Sequence, residues 1–339
     1  MRRLAVLVAC FGLLAAPAAA KAAGGKSWAS TQIQLVTSRG LMGGDPNRFR
    51  PDDPLTRGDL ADLVAGLSGK TPVAPADPSA PVTIAGLDAS LVRGVGLGAA
   101  GREFATGARA AGLTPPARFA TEVVARLLGL RTDHPRAQES LELGPGDVAT
   151  RAEAVYSAAK ILGWKGWEKQ YVEQLASGFV LPSVAGWERT ILQQAVDLIG
   201  YPYVWGGTSE YAQGQLGTDV PGGFDCSGFV WRVYKLARYA AGTALENTLQ
   251  GRTTYAMSGE VPRAERLSFA ALAPADVLFF GSRGPQTNPS AIDHAGVYLG
   301  GGWMIHASGT GVSLAPIANG GYRKRFAWAR RPLAEAGLG

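Results

Sequence analysis

A short pattern that occurs twice in the first half of the chain constrains its fold more than any other feature. Residues 51–59 recur as residues 145–153, and both copies read Pro-x-Asp-x-x-Thr-Arg-x-acid. After each copy the apolar residues follow a helical period that closes on a glycine. Thr56 and Thr150 are suited to cap a helix N-terminus, and the acid three residues later can complete a capping box. The pattern therefore predicts two equivalent helical units.

A weaker copy lies between these two. Residues 120–129 repeat the helical period without the Thr-Arg start, and the proline-rich residues 70–81 predict an extended connector. We therefore predict an all-α repeat region over residues 27–165. A connecting helix and linker over residues 166–182 should follow, and Trp164, Trp167, Tyr171 and Leu175 indicate a helix that docks the two halves of the chain by packing. His134 lies in a charged turn and is expected to be solvated.

The repeat resembles the S-layer homology (SLH) domain, whose helical repeats bind secondary polymers of bacterial cell walls. The resemblance implies that Arg57 and Arg151, from the two Thr-Arg pairs, line a groove for such a polymer. The alternative is that both arginines only satisfy carboxylates and backbone groups at a helix start.

The N-terminal residues are typical of a secretory leader. Arg2 and Arg3 precede an apolar run, and small residues follow it, which predicts a signal peptide over residues 1–22. The run is shorter than the ~20 residues that span a bilayer, and we predict no transmembrane segment. We expect the protein to be secreted or associated with the cell envelope. In the alternative, Cys10 follows a lipobox-like Leu-Val-Ala and is a lipid anchor.

The chain has two cysteines, and removal of the leader would leave Cys226 alone in an oxidising compartment. An unpaired cysteine there is either a reactive thiol or a small buried apolar residue. Glycines precede Cys226 and a helical period follows it, so we expect the thiol at a helix start, where it should have a lowered pKa. His294 and His306 lie downstream with strand-like flanks and could supply a base and an orienting group. No Cys-x-x-Cys or His-x-x-x-His spacing occurs, and we predict neither a metal nor another cofactor.

The second half of the chain changes from helical to strand patterns. An amphipathic helix is predicted from Ser183 to Gly200, and a second helix after Cys226. Alternating and apolar runs then predict strands at residues 275–280, 294–299, 303–308 and 325–330. Helices followed by neighbouring strands indicate an α+β domain, with helices packed on an antiparallel sheet, over residues 183–334.

Five motifs in this half resemble, in order, those of the NlpC/P60 family, over about residues 187–332. They are Tyr-x-Trp-Gly-Gly at 203–207, Asp-Cys-Ser-Gly-Phe-Val at 225–230, Pro-x-Asp-Val-Leu-Phe-Phe at 274–280, Asp-His-Ala-Gly-Val-Tyr-Leu-Gly at 293–300 and Met-Ile-His-Ala at 304–307. Members are papain-like cysteine peptidases that cut bacterial wall peptides.

The resemblance implies a role for six residues. Cys226 would be the nucleophile, His294 the general base and His306 the residue that orients His294. Tyr203 would polarise the scissile carbonyl, and Asp225 and Ser227 would flank the substrate pocket. 

The chain also departs from the family pattern. Ala275 stands where the family has glycine, and the family's Leu-Pro-Arg segment has its nearest counterpart at residues 251–254. Two longer loops, at residues 211–223 and 282–293, could partly cover the cleft.

The combined pattern predicts a secreted thiol peptidase of the cell wall. It would cleave murein stem peptides, by resemblance at the bond between γ-D-glutamate and a diamino acid, and the repeats would tether it to the envelope. The net charge of +6 is mild, and we predict no nucleic-acid partner. Two alternatives are an acyltransferase or amidase on the same Cys-His-His set, and a wall-binding scaffold without activity.

Overall fold

The computed structural model of the protein describes residues 27–215, 217–239 and 243–339. The predicted signal peptide and the alternative lipid anchor Cys10 lie outside the described residues. Over the part of the chain that is described, no helix is long and apolar enough to cross a membrane.

The first part of the described chain, residues 27–182, is mainly helical, as predicted, and is called the helical half below. Its helices are α1 (Ser30–Ser38), α2 (Arg57–Ser68), α3 (Ile84–Gly94), α4 (Gly98–Ala110), α5 (Phe119–Leu127), α6 (Arg151–Leu162) and α7 (Trp167–Ser177). A 3₁₀ helix, Arg136–Leu141, lies between α5 and α6.

Three short extended segments, each just before a helix, meet at the centre of the helical half. The backbone N–H of Leu55 donates to the carbonyl of Ala149 at 2.8 Å, that of Val82 donates to Leu55 at 2.9 Å, and that of Ala149 donates to Val82 at 2.8 Å. The three bonds form a closed ring, so each segment satisfies one donor and one acceptor of its neighbours. The ring places α2, α3 and α6 in equivalent positions around a pseudo-threefold axis.

The middle copy of the repeat begins before Thr83, and the prediction that placed it at residues 120–129 was wrong. The Thr83 side chain accepts a hydrogen bond from the N–H of Gly86 at 3.2 Å and caps α3. Residues 78–86 align with the other copies, but Ile84 and Gly86 replace the arginine and the acid. The threonine cap and the backbone ring are enough to build the unit, so the side chains that made the pattern recognisable were free to change.

Both of the predicted threonine caps are confirmed. Thr56 accepts from the N–H of Asp59 at 3.1 Å, and Thr150 accepts from the N–H of Glu153 at 3.2 Å. The return bond of a capping box does not form, because arginines take both carboxylates. Asp59, for example, pairs with Arg151 at 2.8 Å.

Charged side chains are buried where the repeats meet. This charged cluster consists of Asp88, Glu122, Arg126, Arg131 and Glu153. Arg131 pairs with Asp88 at 3.1 Å and with Glu153 at 3.4 Å. The expectation of a solvated His134 was wrong, because its ring is buried edge-on against Trp28 with centroids 4.6 Å apart.

Aromatic residues join the helical half to the rest of the chain, but they are not the ones on the predicted docking helix. Trp167 and Tyr171 of α7 are 59% and 41% exposed. Instead, Phe104 and Phe179 lie 5.9 and 5.1 Å from Trp303, measured between ring centroids. A single apolar core therefore runs through both halves.

The second part, residues 183–339, is called the sheet half and has the predicted α+β architecture. Its helices are α8 (Gly186–Asp197), α9 (Cys226–Trp231), α10 (Thr243–Glu246), α11 (Thr254–Gly259), α12 (Gly320–Arg325) and α13 (Pro332–Glu335). Its strands are β1 (Thr208–Ser209), β2 (Gln213–Gln215), β3 (Thr218–Val220), β4 (Gly223–Phe224), β5 (Val277–Phe280), β6 (His294–Gly300), β7 (Trp303–Ser308), β8 (Gly311–Pro316) and β9 (Phe326–Arg330).

The main sheet of this half has the order β8-β7-β6-β5-β9 and is antiparallel throughout. The sequence analysis missed β8, although Val312 and Leu314 alternate in it, because its proline and glycine ends are typical of loops. Helix α9 packs against β6 and β7 and so brings its first residue next to these two strands. Of the two long loops, the first contains strands β2 and β3, which pair with each other, and β3 contacts the 3₁₀ helix of the helical half.

Candidate active site

Cys226 is the first residue of α9, as predicted. Asp225 precedes it with extended backbone and accepts a hydrogen bond from the N–H of Gly228, so the acid is the helix N-cap. Phe224 ends the preceding strand and pairs with Thr208, which holds the chain extended up to the cap. A short strand, an acidic cap and a helix thus fix where the sulfur lies.

The thiol of Cys226 is buried, with 8% of the residue exposed. Burial, and then the charge of Asp225, raise its pKa to about 12, and hydrogen bonds from the N–H groups of Ala295, Ser227 and Cys226 oppose this rise. We expected a lowered pKa, and the direction is the opposite, because the loss of water outweighs the helix start. The bond from Ala295 places the sulfur beside the residue that follows His294.

His294 and His306 contact each other directly. His294 opens β6 and His306 lies in β7, and the distance from Nε2 of His294 to Nδ1 of His306 is 2.8 Å. Burial and then Arg325 lower the pKa of His294 to about 4, and burial with the neighbouring His294 lowers the pKa of His306 well below its usual value. Both rings are therefore neutral near pH 7.

The pairing leaves Nδ1 of His294 as the nitrogen that can exchange a proton with a nucleophile. Whenever His294 is protonated, its Nε2–H donates to Nδ1 of His306. The proton of neutral His306 then lies on its Nε2. The contact thus orients the His294 ring and favours one tautomer of His306.

Tyr322 completes this part of the site, and sequence reasoning did not find it. It lies in α12, with its ring stacked on His294 at 5.8 Å and edge-on to His306 at 5.3 Å. Its hydroxyl is 3.4 Å from Nδ1 of His306. No motif marks Tyr322, because the helix that carries it returns to the site only through the folded sheet.

Asp225 and Ser227 are brought together, and Arg252 joins them. Ser227 Oγ lies 2.9 Å from Oδ1 of Asp225. Arg252 donates to Ser227 Oγ at 2.7 Å and pairs with Oδ1 of Asp225 at 3.3 Å. Arg252 belongs to the segment named as the nearest counterpart of the Leu-Pro-Arg stretch, and it reaches the helix cap from about 25 residues away in sequence.

Tyr203 is held beside the strand that leads to the thiol. It forms a parallel bridge with Phe224, two residues before Cys226. Burial, and then the charges of Cys226 and Asp225, raise the pKa of its hydroxyl. The hydroxyl is therefore protonated near neutral pH and can donate a hydrogen bond.

Ala275 has a φ of 68°, the left-handed region that favours glycine. The departure from the family pattern at this position therefore keeps the glycine-like backbone. The turn survives because Ala275 N–H donates to Tyr298 O at 2.8 Å.

Arg57 and Arg151, the two arginines of the repeats, are not brought together. Arg57 is exposed and lines a cavity of about 610 Å³ between α2 and α3, with Lys70 and Arg93. Arg151 pairs with Asp59 at 2.8 Å and donates to the carbonyl of Phe49 at 3.0 Å.

A buried thiol at a helix start, which faces a histidine pair on an antiparallel sheet, is the arrangement of the cysteine-peptidase class. Residues 200–331 match the model of the NlpC/P60 family, and residues 23–61 match the S-layer homology domain. The sheet half therefore contains an NlpC/P60 domain, and the helical half begins with an S-layer homology domain.

Curated relatives match the same part of the chain. A probable endopeptidase of Mycobacterium tuberculosis is 35% identical over 140 residues, which is 41% of this chain and 28% of the relative. A probable peptidoglycan endopeptidase of Bacillus subtilis is 30% identical over 141 residues, 42% of this chain and 33% of the relative. A gamma-D-glutamyl-L-lysine dipeptidyl-peptidase of the same species is 28% identical over 153 residues, 44% of this chain and 43% of the relative.

The chain spans less than half the length of these relatives. Among solved structures, an NlpC/P60 family protein from Bacillus cereus is 25% identical, with a TM-score of 0.32, and the match covers 45% of this chain and 42% of that one.

Proposed function

We propose that this protein is a cell-wall hydrolase, a cysteine peptidase that cleaves murein stem peptides. One observation carries the proposal: the sulfur of Cys226 accepts a hydrogen bond from Ala295, next to His294, while His294 contacts His306 at 2.8 Å. Nucleophile, base and orienting group are thereby joined in one contact path. The relatives named as endopeptidases support the same class of reaction.

The neutral state of the site defines the first step. The thiol has a raised pKa and His294 a lowered one, so the proton moves from sulfur to Nδ1 of His294 as the sulfur attacks the scissile carbonyl. The imidazolium that forms donates its Nε2–H to His306. Separated charges thus appear only during the reaction, and contacts that stabilise them, such as the one from His294 to His306, lower the barrier.

The remaining steps follow from the same groups. The N–H groups near Cys226 and the Tyr203 hydroxyl would donate to the oxyanion, an interaction whose loss typically costs ~10²–10³ in rate. His294 returns its proton to the leaving amine, and a thioester to Cys226 remains. Water then attacks the thioester and gives its proton to His294. The C–S bond breaks and releases the free acid, and the sulfur takes the proton back from His294, which restores the thiol.

For the bond, we propose the link between γ-D-glutamate and a diamino acid. The relative named as a gamma-D-glutamyl-L-lysine dipeptidyl-peptidase supports it. Mass spectrometry of the fragments from defined murein peptides identifies the cleaved bond. An N-terminal fragment that ends in a residue other than D-glutamate would contradict this assignment.

The test of the activity itself uses Cys226→Ala and Cys226→Ser. We expect both variants to fold and to release no peptide from purified murein. Full activity in either refutes the proposal. Product transfer to an added amine, in place of water, would identify an acyltransferase instead.

The scaffold alternative draws on one observation, the thiol pKa of about 12. It predicts that iodoacetamide labels Cys226 near pH 6 no faster than a simple thiol and that murein is not cleaved. The peptidase proposal predicts labelling that depends on His294.

We further propose a division of labour along the chain. Residues 1–22 would direct secretion, 27–165 would form the wall-binding repeats, 166–182 the connection and 183–334 the peptidase domain. For the repeats, Arg57 with Lys70 and Arg93 would bind an acidic wall polymer in the cavity between α2 and α3. Arg151 is already paired, which favours a structural role for it.

A binding assay with purified cell walls tests this second proposal. Arg57→Ala should weaken wall binding and leave hydrolysis of a soluble stem peptide unchanged. Equal binding by the variant and the unmodified protein would contradict it.

A further inference from the structure

The helical half touches the sheet half beside the proposed cleft. Arg126 of α5 donates to the carbonyls of Gly200 and Thr310, which lie at the base of the Tyr203 segment and in the turn after His306. Gly309 of the same turn packs against Asp133, whose carboxylate would lie 3.2 Å from a Cβ at that position. Residues of the helical half therefore form one side of the site.

Glu139, in the 3₁₀ helix Arg136–Leu141, contacts the segment that is bound to the helix of the thiol. The residue is 6% exposed, and its Oε1 accepts the backbone N–H of Trp205 at 2.8 Å. Arg136, on the same turn, lies 5.9 Å from the centre of the Trp205 ring. Burial raises the pKa of Glu139, and the hydrogen bond from the Trp205 N–H partly opposes this rise.

The backbone after Trp205 is bound in turn to the cap of the Cys226 helix. The N–H of Gly206 donates to Oδ2 of Asp225 at 2.9 Å, and its carbonyl accepts from Arg252 at 2.8 Å. Gly207 lies so close to α9 that a Cβ on Gly228 would be 1.8 Å from its carbonyl oxygen. A shift of this segment must therefore move the start of the helix.

We infer that Glu139 is a positioning residue for the peptidase site. Its carboxylate oxygen holds the Trp205 N–H, the Trp205–Gly206 backbone holds Asp225, and Asp225 holds the helix start that presents Cys226. The helical half is then part of the catalytic unit as well as a wall tether. This inference rests on the proposed function of the sheet half, but the contact path itself does not.

Two substitutions at Glu139 separate the acceptor oxygen from the charge. Glu139→Gln keeps an oxygen at the same reach and removes the charge. Glu139→Asp keeps the charge and withdraws the oxygen by one methylene. Glu103→Gln and Glu103→Asp, on the exposed face of α4, are matched controls.

The protein without residues 1–22, in which Cys226 is the one thiol, is assayed on a soluble stem peptide. The kcat is expressed per thiol titrated by an irreversible reagent, well below the melting temperature. We expect Glu139→Gln to remain within about twofold of the unmodified protein. Glu139→Asp should lose about tenfold in kcat, with a smaller change in KM, because a buried N–H is left without its acceptor. Normalisation to titrated thiol removes any loss that is due only to unfolded protein.

The rate of Cys226 alkylation by iodoacetamide is measured in parallel and does not require turnover. It should rise about threefold or more in Glu139→Asp, as the helix start loosens, and stay near the unmodified rate in Glu139→Gln. If no variant, including the unmodified protein, cleaves murein, the proposed function fails while alkylation still decides the inference. 

Three outcomes overturn the inference. Both Glu139 variants could match the Glu103 controls in both assays. The order could be reversed, with Glu139→Asp normal and Glu139→Gln impaired. If Glu139→Asp does not fold, an impaired Glu139→Gln is by itself sufficient to reject the inference.

Discussion

The charged cluster of the helical half and the Cys226–His294–His306 group of the sheet half are both buried, but they compensate for burial in different ways. In the charged cluster, Arg131 lies between Asp88 and Glu153 at 3.1 and 3.4 Å, and these pairs oppose the effect of burial, which raises the pKa of Asp88. In the proposed catalytic group, burial raises the pKa of the thiol and lowers that of His294, so the members stay neutral.

The difference follows from what each group has to do. Paired charges hold a structure in one state, because removal of a partner leaves an uncompensated charge in a medium of low dielectric constant. Neutral groups leave the resting site without charge, and under the proposed function a proton moves from the thiol to His294 only as the substrate reacts. Buried polar residues in one chain are thus suited to stability in one place and, under the proposed function, to chemistry in another.

The largest expected effect comes from removal of the base. His294→Ala should lower kcat by about 10²–10⁴, because the thiol loses its proton acceptor. The melting temperature should change little, since a neutral ring is removed. Peptide release from murein and a thermal melt give the two values. If His294→Ala lowered the stability by a large amount as well as the activity, the contrast between the two buried groups would be contradicted.

The reverse pattern is expected in the charged cluster. Arg131→Met should lower the free energy of unfolding by about 3–5 kcal/mol, because Asp88 and Glu153 remain buried without their partner. The kcat per titrated thiol should be nearly unchanged. Denaturant unfolding measures the effect, and Arg102→Met on the surface of α4 is the control. An unchanged unfolding midpoint for Arg131→Met would show that the cluster does not stabilise the fold.

The dependence of activity on pH tests the neutral state of the catalytic group. Because the pKa of His294 is lowered to about 4, the ring can accept a proton at any pH above that value. We expect kcat/KM to fall only below about pH 4, by about tenfold for each further pH unit. Initial rates from pH 3.5 to 8 measure it. An acid limb near the ordinary histidine pKa of ~6.5 would argue for a solvated ring.

The smallest effect is expected at Tyr322. Tyr322→Phe keeps the ring that stacks on His294 and loses the hydroxyl 3.4 Å from His306. The kcat should fall by about threefold to tenfold, in line with the loss of one hydrogen bond. Tyr322→Ala should cost more, because the stacking is lost as well. Equal rates for Tyr322→Phe and Tyr322→Ala would assign the whole effect to the hydroxyl.

Sequence reasoning found the residues that lie in local patterns. Cys226 was recognisable from the glycines before it and the helical period after it, and His294 and His306 from their strands. The same reasoning missed Tyr322 and Glu139. Neither lies in a motif, and each reaches the site from another part of the chain, so no spacing links it to Cys226.

Local patterns also gave a wrong prediction where tertiary contacts decide which residues join the two halves. Trp167 lies in a helix, as expected, but its side chain is exposed and does not make the expected docking contact. Phe104, Phe179 and Trp303 make that contact instead. A helical period shows which residues share a face. It does not show which neighbouring element covers that face.

The sequence by itself determined the change from helices to strands along the chain, the threonine caps of the outer repeats and the presence of one thiol and two histidines in NlpC/P60 motifs. These depend on residues close together in the chain, where propensity and hydrogen-bond chemistry act directly. Only the tertiary structure decided the direction of the Cys226 pKa, the partner of each buried charge and the contact between Glu139 and Trp205. Those properties depend on how much water is excluded and on which distant groups meet, and both are settled when the two halves pack on a common core.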